Sequence, residues 1–314
     1  MKHKKLEIPE ILHGKRADIA ISELLGNELS RNQVKDLIKS GDILINDERC
    51  KPKDKIRHND QIDVSIPDAE VSSWTAEDIN LDIIFACDDY AIINKPAGLV
   101  MHPGAGVKSG TLANAVAKVY PEVLSLPRNG IVHRLDKDTS GLVVIARKNG
   151  FRNHIAEQFQ NREVEKKYLA VIKGEIIGAL TIDKPIARDR QNRTKMKVDE
   201  SGREAVSEVI SLESFGGYSL VEVKIETGRT HQIRVHLSSN KTPIIGDKAY
   251  GSGSQLIKNL SDNLKDKILS FPRQALHAYQ LAFLDASNEM QTYKSNPPDD
   301  ILGLIESLKS NENA

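Results

Sequence analysis

Residues 130–148 read GIVHRLDKDTSGLVVIARK. The run GLVVIA is apolar and β-branched, fit for a strand buried on both faces. GIV leads into the same interior. Between them the chain places His133, Arg134, Asp136, Lys137 and Asp138, then a Thr139-Ser140-Gly141 return. On spacing alone, Asp136 fits an Asx-type turn that caps a loop between two buried segments. The alternative is a carboxylate held where chemistry is done, and the rest of the chain has to decide between them.

With 314 residues the chain is long enough for a sizeable core and two domains. Charged residues make up 28% and aromatics 4%, the balance of a globular chain and not of a disordered one. No apolar run approaches the roughly 20 residues that a membrane-spanning helix needs. The opening MKHKKLEIPEILHGKR has no apolar h-region, so no secretory signal is read and a cytoplasmic location is expected. Cys50 and Cys87 form no CxxC, which argues for ordinary reduced thiols and against a disulfide framework or a zinc site. Lys plus Arg and Asp plus Glu are 44 each, so any basic surface has to be local.

One local basic surface is visible near the start. In LSRNQVKDLIKSG (29–41), Ser30 and Gln33 form a capping box, Val34, Leu37 and Ile38 give an apolar face, and Gly41 ends the helix. DILIN and QIDVSIP then read as two short strands, with a turn at Asp47-Glu48. Arg31, Lys35 and Lys39 are spaced four apart and make one stripe on that helix. A basic stripe by itself is often only a solvated face. With KRADIAISELL before it and KPKDKIRHNDQIDVSIP after it, however, the order of elements over 14–67 resembles the S4 RNA-binding module. That resemblance makes the stripe a phosphate contact.

DAEVSSWTAEDIN (68–80) is polar and aperiodic, like a linker. The domains are therefore expected at 1–70 (S4-like) and 81–314, joined by 71–80. In the second region strands and helices do not alternate regularly, which predicts α+β with a mixed, mainly antiparallel sheet and not a doubly wound parallel one. GAGVKSGT has Val107 where a Walker loop needs Gly, and HRLDKD has an extra leucine relative to the kinase H-R-D. No metal-ligand spacing and no G-x-S-x-G elbow is present, so hydrolase, kinase and metalloenzyme readings lose ground.

Four segments remain, in order: IINKPAGLVMHPG (92–104), GIVHRLDKDTSGLVVIARK (130–148), EKKYLAVIKGE (165–175) and TGRTHQIRVHL (227–237). PIIGDKAYG and RQALHAYQLAF follow. Together, over 80–290, they resemble the RluA-type pseudouridine synthases, which isomerise uridine in ribosomal and transfer RNA. An S4 module ahead of such a domain is similar to the large-subunit ribosomal RNA branch, RluD-like or RluC-like.

The resemblance implies a pseudouridine synthase fold with Asp136 as the catalytic residue and Arg234 as the arginine that pairs with it. It implies that Tyr168 stacks on the target base, its hydroxyl near the reacting ring as a base or a positioning group. Such enzymes flip the nucleotide out. The arginine before Leu-Asp, Arg134 here, takes part, and His133 helps to shape the same loop. Arg229 and His231 in the fourth segment are also expected at the RNA. IARDRQNRTKMKVD (186–199), with Arg188, Arg190 and Arg193, reads as a phosphate-tracking loop or hairpin. Lys95 and His102 are expected to support the framework.

A carboxylate suits the reaction as a base at C2′, giving a glycal, or as a nucleophile at C1′, and the sequence leaves both open. No cofactor and no metal are expected, and nothing suggests more than a monomer. The other readings are the same chemistry on transfer RNA or another structured RNA, and a non-catalytic RNA-binding ribosome-assembly protein. A pure binder has no need of Asp136, Tyr168 and Arg234 together. The chain departs from the family pattern at LDAS and YKSNPPDD, which puts its C-terminal edge in doubt.

Overall fold

The computed structural model describes residues 2–29, 31–66, 74–104, 106–251, 256–258 and 260–312. Its first part contains β1 (Lys2–Glu7), α1 (Ala17–Leu25), α2 (Arg31–Ser40), β2 (Ile43–Ile45), β3 (Glu48–Arg49) and β4 (Gln61–Ile66). The strands form an antiparallel sheet in the order β1-β4-β2-β3. Val34 and Ile38 from α2, Ala20 and Ile21 from α1, and Ile43, Ile62 and Val64 from the sheet share one core. The predicted apolar face of α2 is therefore the buried one. The helix stops at Gly41, whose φ of +89° suits glycine. The Asp42 and Gly41 amides donate to Leu37 and Ile38, satisfying two of the last carbonyls. The Ser30 cap lies outside the described residues.

Two expectations for this part need correction. The hairpin turn is Asn46-Asp47, with φ of 51° and 65°, and not Asp47-Glu48, because Glu48 already pairs with Ile45. Two central residues at positive φ match the twist of the strands, and Asn and Asp tolerate that conformation. An N-terminal strand, β1, was also hidden by its lysines. It lies at the sheet's edge, where such residues are at home.

The second part contains β5 (Asp82–Ala86), β6 (Tyr90–Lys95), α3 (Leu112–Val119), β7 (Ser140–Ala146), α4 (Asn149–Asn161) and β8 (Glu165–Lys173). It continues with β9 (Ala179–Asp183), β10 (Ile186–Arg188), β11 (Met196–Val198), β12 (Val206–Ser214), β13 (Tyr218–Ile225) and α5 (Gln232–Ser239). α6 (Asp262–Ser270), β14 (Leu276–Leu284), β15 (Met290–Lys294) and α7 (Asp299–Glu312) complete it. The large sheet runs β5-β6-β7-β14-β8-β13-β12-β9, with β15 also paired to β14. Only β7 and β14 pair in parallel among the described ladders. The α+β, mainly antiparallel architecture predicted from the sequence is the one found. β10 and β11 form a separate hairpin.

The central strands are covered on both faces, which explains their unbroken apolar runs. Ala91, Ile93, Val143 and Ile145 join α3, α5, α6 and α7 in the main core. Tyr90, Ile92, Leu142 and Val144 face the other way, onto Phe151 and Ile155 of α4. Near the start of α4 the Asn149 amide donates to the Glu28 carbonyl at 2.6 Å, joining the two parts. Among the described residues no helix is long and apolar enough to cross a membrane.

Glycines bound the polar loop that leads into β7. A Cβ on Gly130 (φ +74°) would lie 1.9 Å from the Ala146 carbonyl oxygen. One on Gly141 (φ +121°) would lie 2.3 Å from that of Ala278. Both ends of the loop thus need the missing side chain, for the backbone angle and for the close approach.

Candidate active site

The loop from Ile131 to Thr139 is clamped by buried polar side chains of neighbouring strands. Lys95, fully buried at the end of β6, donates to the carbonyls of Pro96, Leu99 and Lys137 at 2.8, 3.0 and 3.0 Å. Burial pulls its ammonium down to about 8, against the attraction of Asp138 and Asp136. Arg273 is held bidentate by Asp300 of α7 at 2.7 and 2.8 Å and donates to the Asp138 carbonyl at 3.1 Å. Gln274 Nε2 reaches Thr139 Oγ1 at 3.1 Å, and His277 Nδ1 and Ser140 Oγ are 3.0 Å apart. The polar turn is a rigid platform. Lys95 has the framework role expected of it, and YKSNPPDD supplies Asp300, to which no sequence motif assigns a role.

On this platform the Asp136 carboxylate accepts a hydrogen bond from Arg234 Nη1 at 3.0 Å. Arg234 projects from α5 and is aimed from behind: its Nε and Nη2 donate to Asp247 at 2.7 and 2.9 Å. Asp247, 2% exposed, also accepts from the amides of Ala249 and Tyr250, both at 3.0 Å. A buried ion pair is stable only when its remaining polar atoms are satisfied, and this one meets that condition. Burial works against the charge on Arg234, but the bonds to Asp247 and Asp136 outweigh it and raise the guanidinium's pKa. Its plane also lies 5.0 Å from the Tyr250 ring centre.

His231 stands on the other oxygen of Asp136, with Nε2 at 4.0 Å. The Met196 amide donates to the Tyr250 hydroxyl at 2.8 Å, which leaves that hydroxyl to donate to His231 Nδ1 at 2.7 Å. With the hydroxyl as donor, the imidazole proton sits on Nε2, facing the carboxylate. Burial lowers the pKa of His231, and Asp136 opposes the shift. Met196 belongs to β11, so the basic hairpin is linked to the Asp136 centre through Tyr250 and His231.

Asp136 opens into a cleft of about 830 Å³ whose wall includes Arg134, Phe159, Lys166, Tyr168 and Arg229. Tyr168 lies on β8 between Val223 of β13 and Ala278 of β14. It shares a buried face with Ala170 and Ile172. Burial pushes its hydroxyl pKa up, and the Asp136 charge adds to the shift. Arg134 is exposed at the mouth of the cleft and makes no ion pair among the described residues. Lys166, missed in the sequence, places its ammonium 5.6 Å above the Phe159 ring, and burial lowers it to about 8.

The remaining predicted residues divide into inward and outward groups. His133 lines the cleft, but its Nε2 accepts from the Val144 amide at 3.0 Å and its ring stacks on Phe159. Burial, with help from Lys166, takes that imidazole down to about 3, so it contacts RNA as a neutral ring if at all. Arg229 donates through Nε to the Glu204 carbonyl at 2.9 Å. Arg188, Arg190 and Arg193 are exposed on and beyond β10, do not line the Asp136 cleft and make no ion pairs among the described residues. In the first part, Arg31 donates twice to the buried Asp18, at 3.0 and 2.9 Å, and Lys35 lies 3.8 Å from it. Among the described residues Lys39 pairs only with Asp36, at 3.8 Å.

Comparison with known proteins agrees with this geometry. A family model described as RNA pseudouridylate synthase matches residues 89–239, and one for the S4 domain matches residues 16–62. The ribosomal large subunit pseudouridine synthase D of Xanthomonas campestris is 40% identical over 303 residues, 96% of this chain and 91% of the relative. Its namesake from Escherichia coli K12 is 38% identical over 299 residues, 95% and 91% of the two chains. Among solved structures, human RNA pseudouridylate synthase domain containing 4 superposes with a TM-score of 0.57 at 28% identity. That superposition covers 72% of this chain and 92% of the human one. Identity of this extent, over nearly the full length, shows that the chain belongs to the RNA pseudouridylate synthase family.

Proposed function

We propose that this isomerase converts uridine to pseudouridine in large-subunit ribosomal RNA, with Asp136 as the reacting carboxylate. The observation that carries the catalytic assignment is Asp136 on a clamped loop, 3.0 Å from Arg234, at the wall of a cleft that also holds Tyr168. The ribosomal substrate rests on the names of the full-length relatives.

The reaction breaks the bond from N1 to C1′ and joins C5 to C1′. C5 loses a proton and N1 gains one, so the change is redox-neutral and uses no cofactor. Asp136 starts it by taking the C2′ proton or by attacking C1′; in both routes Arg234 offsets the carboxylate's charge and fixes its direction. A hydroxyl whose proton is held this firmly is a poor base in the resting site, which favours Tyr168 as the ring that stacks on the flipped uracil and positions it. Arg134 fills the space that the base vacates.

Residues 1–70 hold the RNA through the α2 stripe, 71–80 join the units, and 81–314 carry out the reaction. The protein works as a monomer in the cytoplasm. Pseudouridine mapping across total RNA, with and without the protein, tests the substrate. Loss at uridines of the large-subunit RNA is expected, and losses confined to transfer RNA would overturn that assignment.

A further inference from the structure

Trp74, the chain's only tryptophan, is half-buried in the wall of the Asp136 cleft. It packs against the main core. Its ring meets the His102 imidazole with 5.5 Å between centroids and a tilt of 59°. His102 is an uncharged neighbour: burial takes it down to about 4, and the nearby Arg128 and Arg134 push the same way. Trp74 thus has the flat neutral His102 ring beside it, with two guanidinium groups in the same wall.

Two other large rings line the cleft. Phe159 is stacked by His133 at 4.9 Å and 25° and carries Lys166 on its face. Tyr168 is 6% exposed and lies beside Asp136, where the reacting base must sit. An indole at the wall, next to cations that can neutralise phosphate, is the combination that binds unpaired nucleotides without reading their sequence. A strand that gives up one base to the cleft leaves the next base without a stacking neighbour.

We propose that Trp74 is the stacking platform for a second unpaired nucleobase, adjacent in the RNA strand to the uridine that enters the Asp136 cleft. The proposal rests on the pseudouridine synthase reading and adds a second nucleotide subsite to it. His102 backs the indole, while Arg128 in the same wall takes the intervening phosphate.

A single tryptophan makes the test direct. The full-length protein is titrated with a large-subunit ribosomal RNA fragment that it converts, while intrinsic fluorescence is read. The platform predicts strong quenching that saturates with RNA binding. Trp74→Phe keeps an aromatic face and should bind nearly as well, whereas Trp74→Leu, similar in apolar character, should bind roughly tenfold more weakly. Its KM should rise by a similar factor with kcat less affected, and its thermal midpoint should match that of Trp74→Phe. Unquenched fluorescence together with wild-type affinity in Trp74→Leu would overturn the proposal. Quenching by an RNA that is bound but never converted would keep the platform and overturn the choice of substrate instead.

Discussion

At the scale of single residues, the centre is a chain of charges: Asp247 aims Arg234, and Arg234 aims Asp136. Asp136, Tyr168 and Arg234 were legible because each falls inside a compact motif. Asp247 also falls in a motif, PIIGDKAYG, but its role comes from α5, which reaches it only after folding. Arg273 was silent for the same reason, being 135 positions from the carbonyl it holds. Replacing Asp247 with Asn keeps its shape and removes its charge. The buried guanidinium is then left without its partner, at a cost of about 3 kcal/mol or more in unfolding free energy. Misaiming of Arg234 should lower single-turnover kcat by about 10²-fold, with RNA affinity preserved. A variant with wild-type kcat would show that Arg234 needs no such support.

At the scale of elements, α2 shows how a stripe read from spacing acquires structure. Arg31 and Lys35 converge with Arg16 on Asp18, while Lys39 stands apart. Burial would raise the Asp18 carboxyl, but its bonds to Arg16 and Arg31 outweigh that and lower it. The stripe is thus a braced array, and the bracing could not be read from helix periodicity because Asp18 comes from another helix. Neutralising Arg31, Lys35 and Lys39 should reduce the dependence of log affinity on log salt by about 0.7–0.9 for each phosphate that is no longer neutralised. Arg31→Gln should also lower the stability of the protein, whereas Lys39→Gln should not, and chemical denaturation separates the two effects. An unchanged salt slope in the triple variant would remove α2 from the interface.

At the scale of the whole molecule, the strands with plain apolar runs were legible, and those that pack on polar ladders or at edges were not. β14 was visible only as a motif, although it sits between β7 and β8, carries His277 against Ser140, and is preceded directly by Gln274, which holds Thr139. The same interior buries histidines in neutral form: His102 and His277 are pushed down to about 4 and His133 to about 3, all chiefly by burial. Their ordinary value is 6.5, so from there down to about 4 the unfolded chain binds more protons than the folded one. Stability from this source is full above pH 6.5 and falls with acid by about 1.4 kcal/mol per unit for each such histidine. Urea midpoints should therefore drop between neutral pH and the acid end of that window, and a flat profile would contradict the burial of these rings. Under the proposed function these features serve one reaction, the rearrangement of uridine through the carboxylate of Asp136. The most direct measurement is pseudouridine formation by wild-type protein and Asp136→Asn on the same ribosomal RNA, with the affinity of each measured in parallel. The account predicts normal binding and no product from Asp136→Asn. Product formed at the wild-type rate would contradict it.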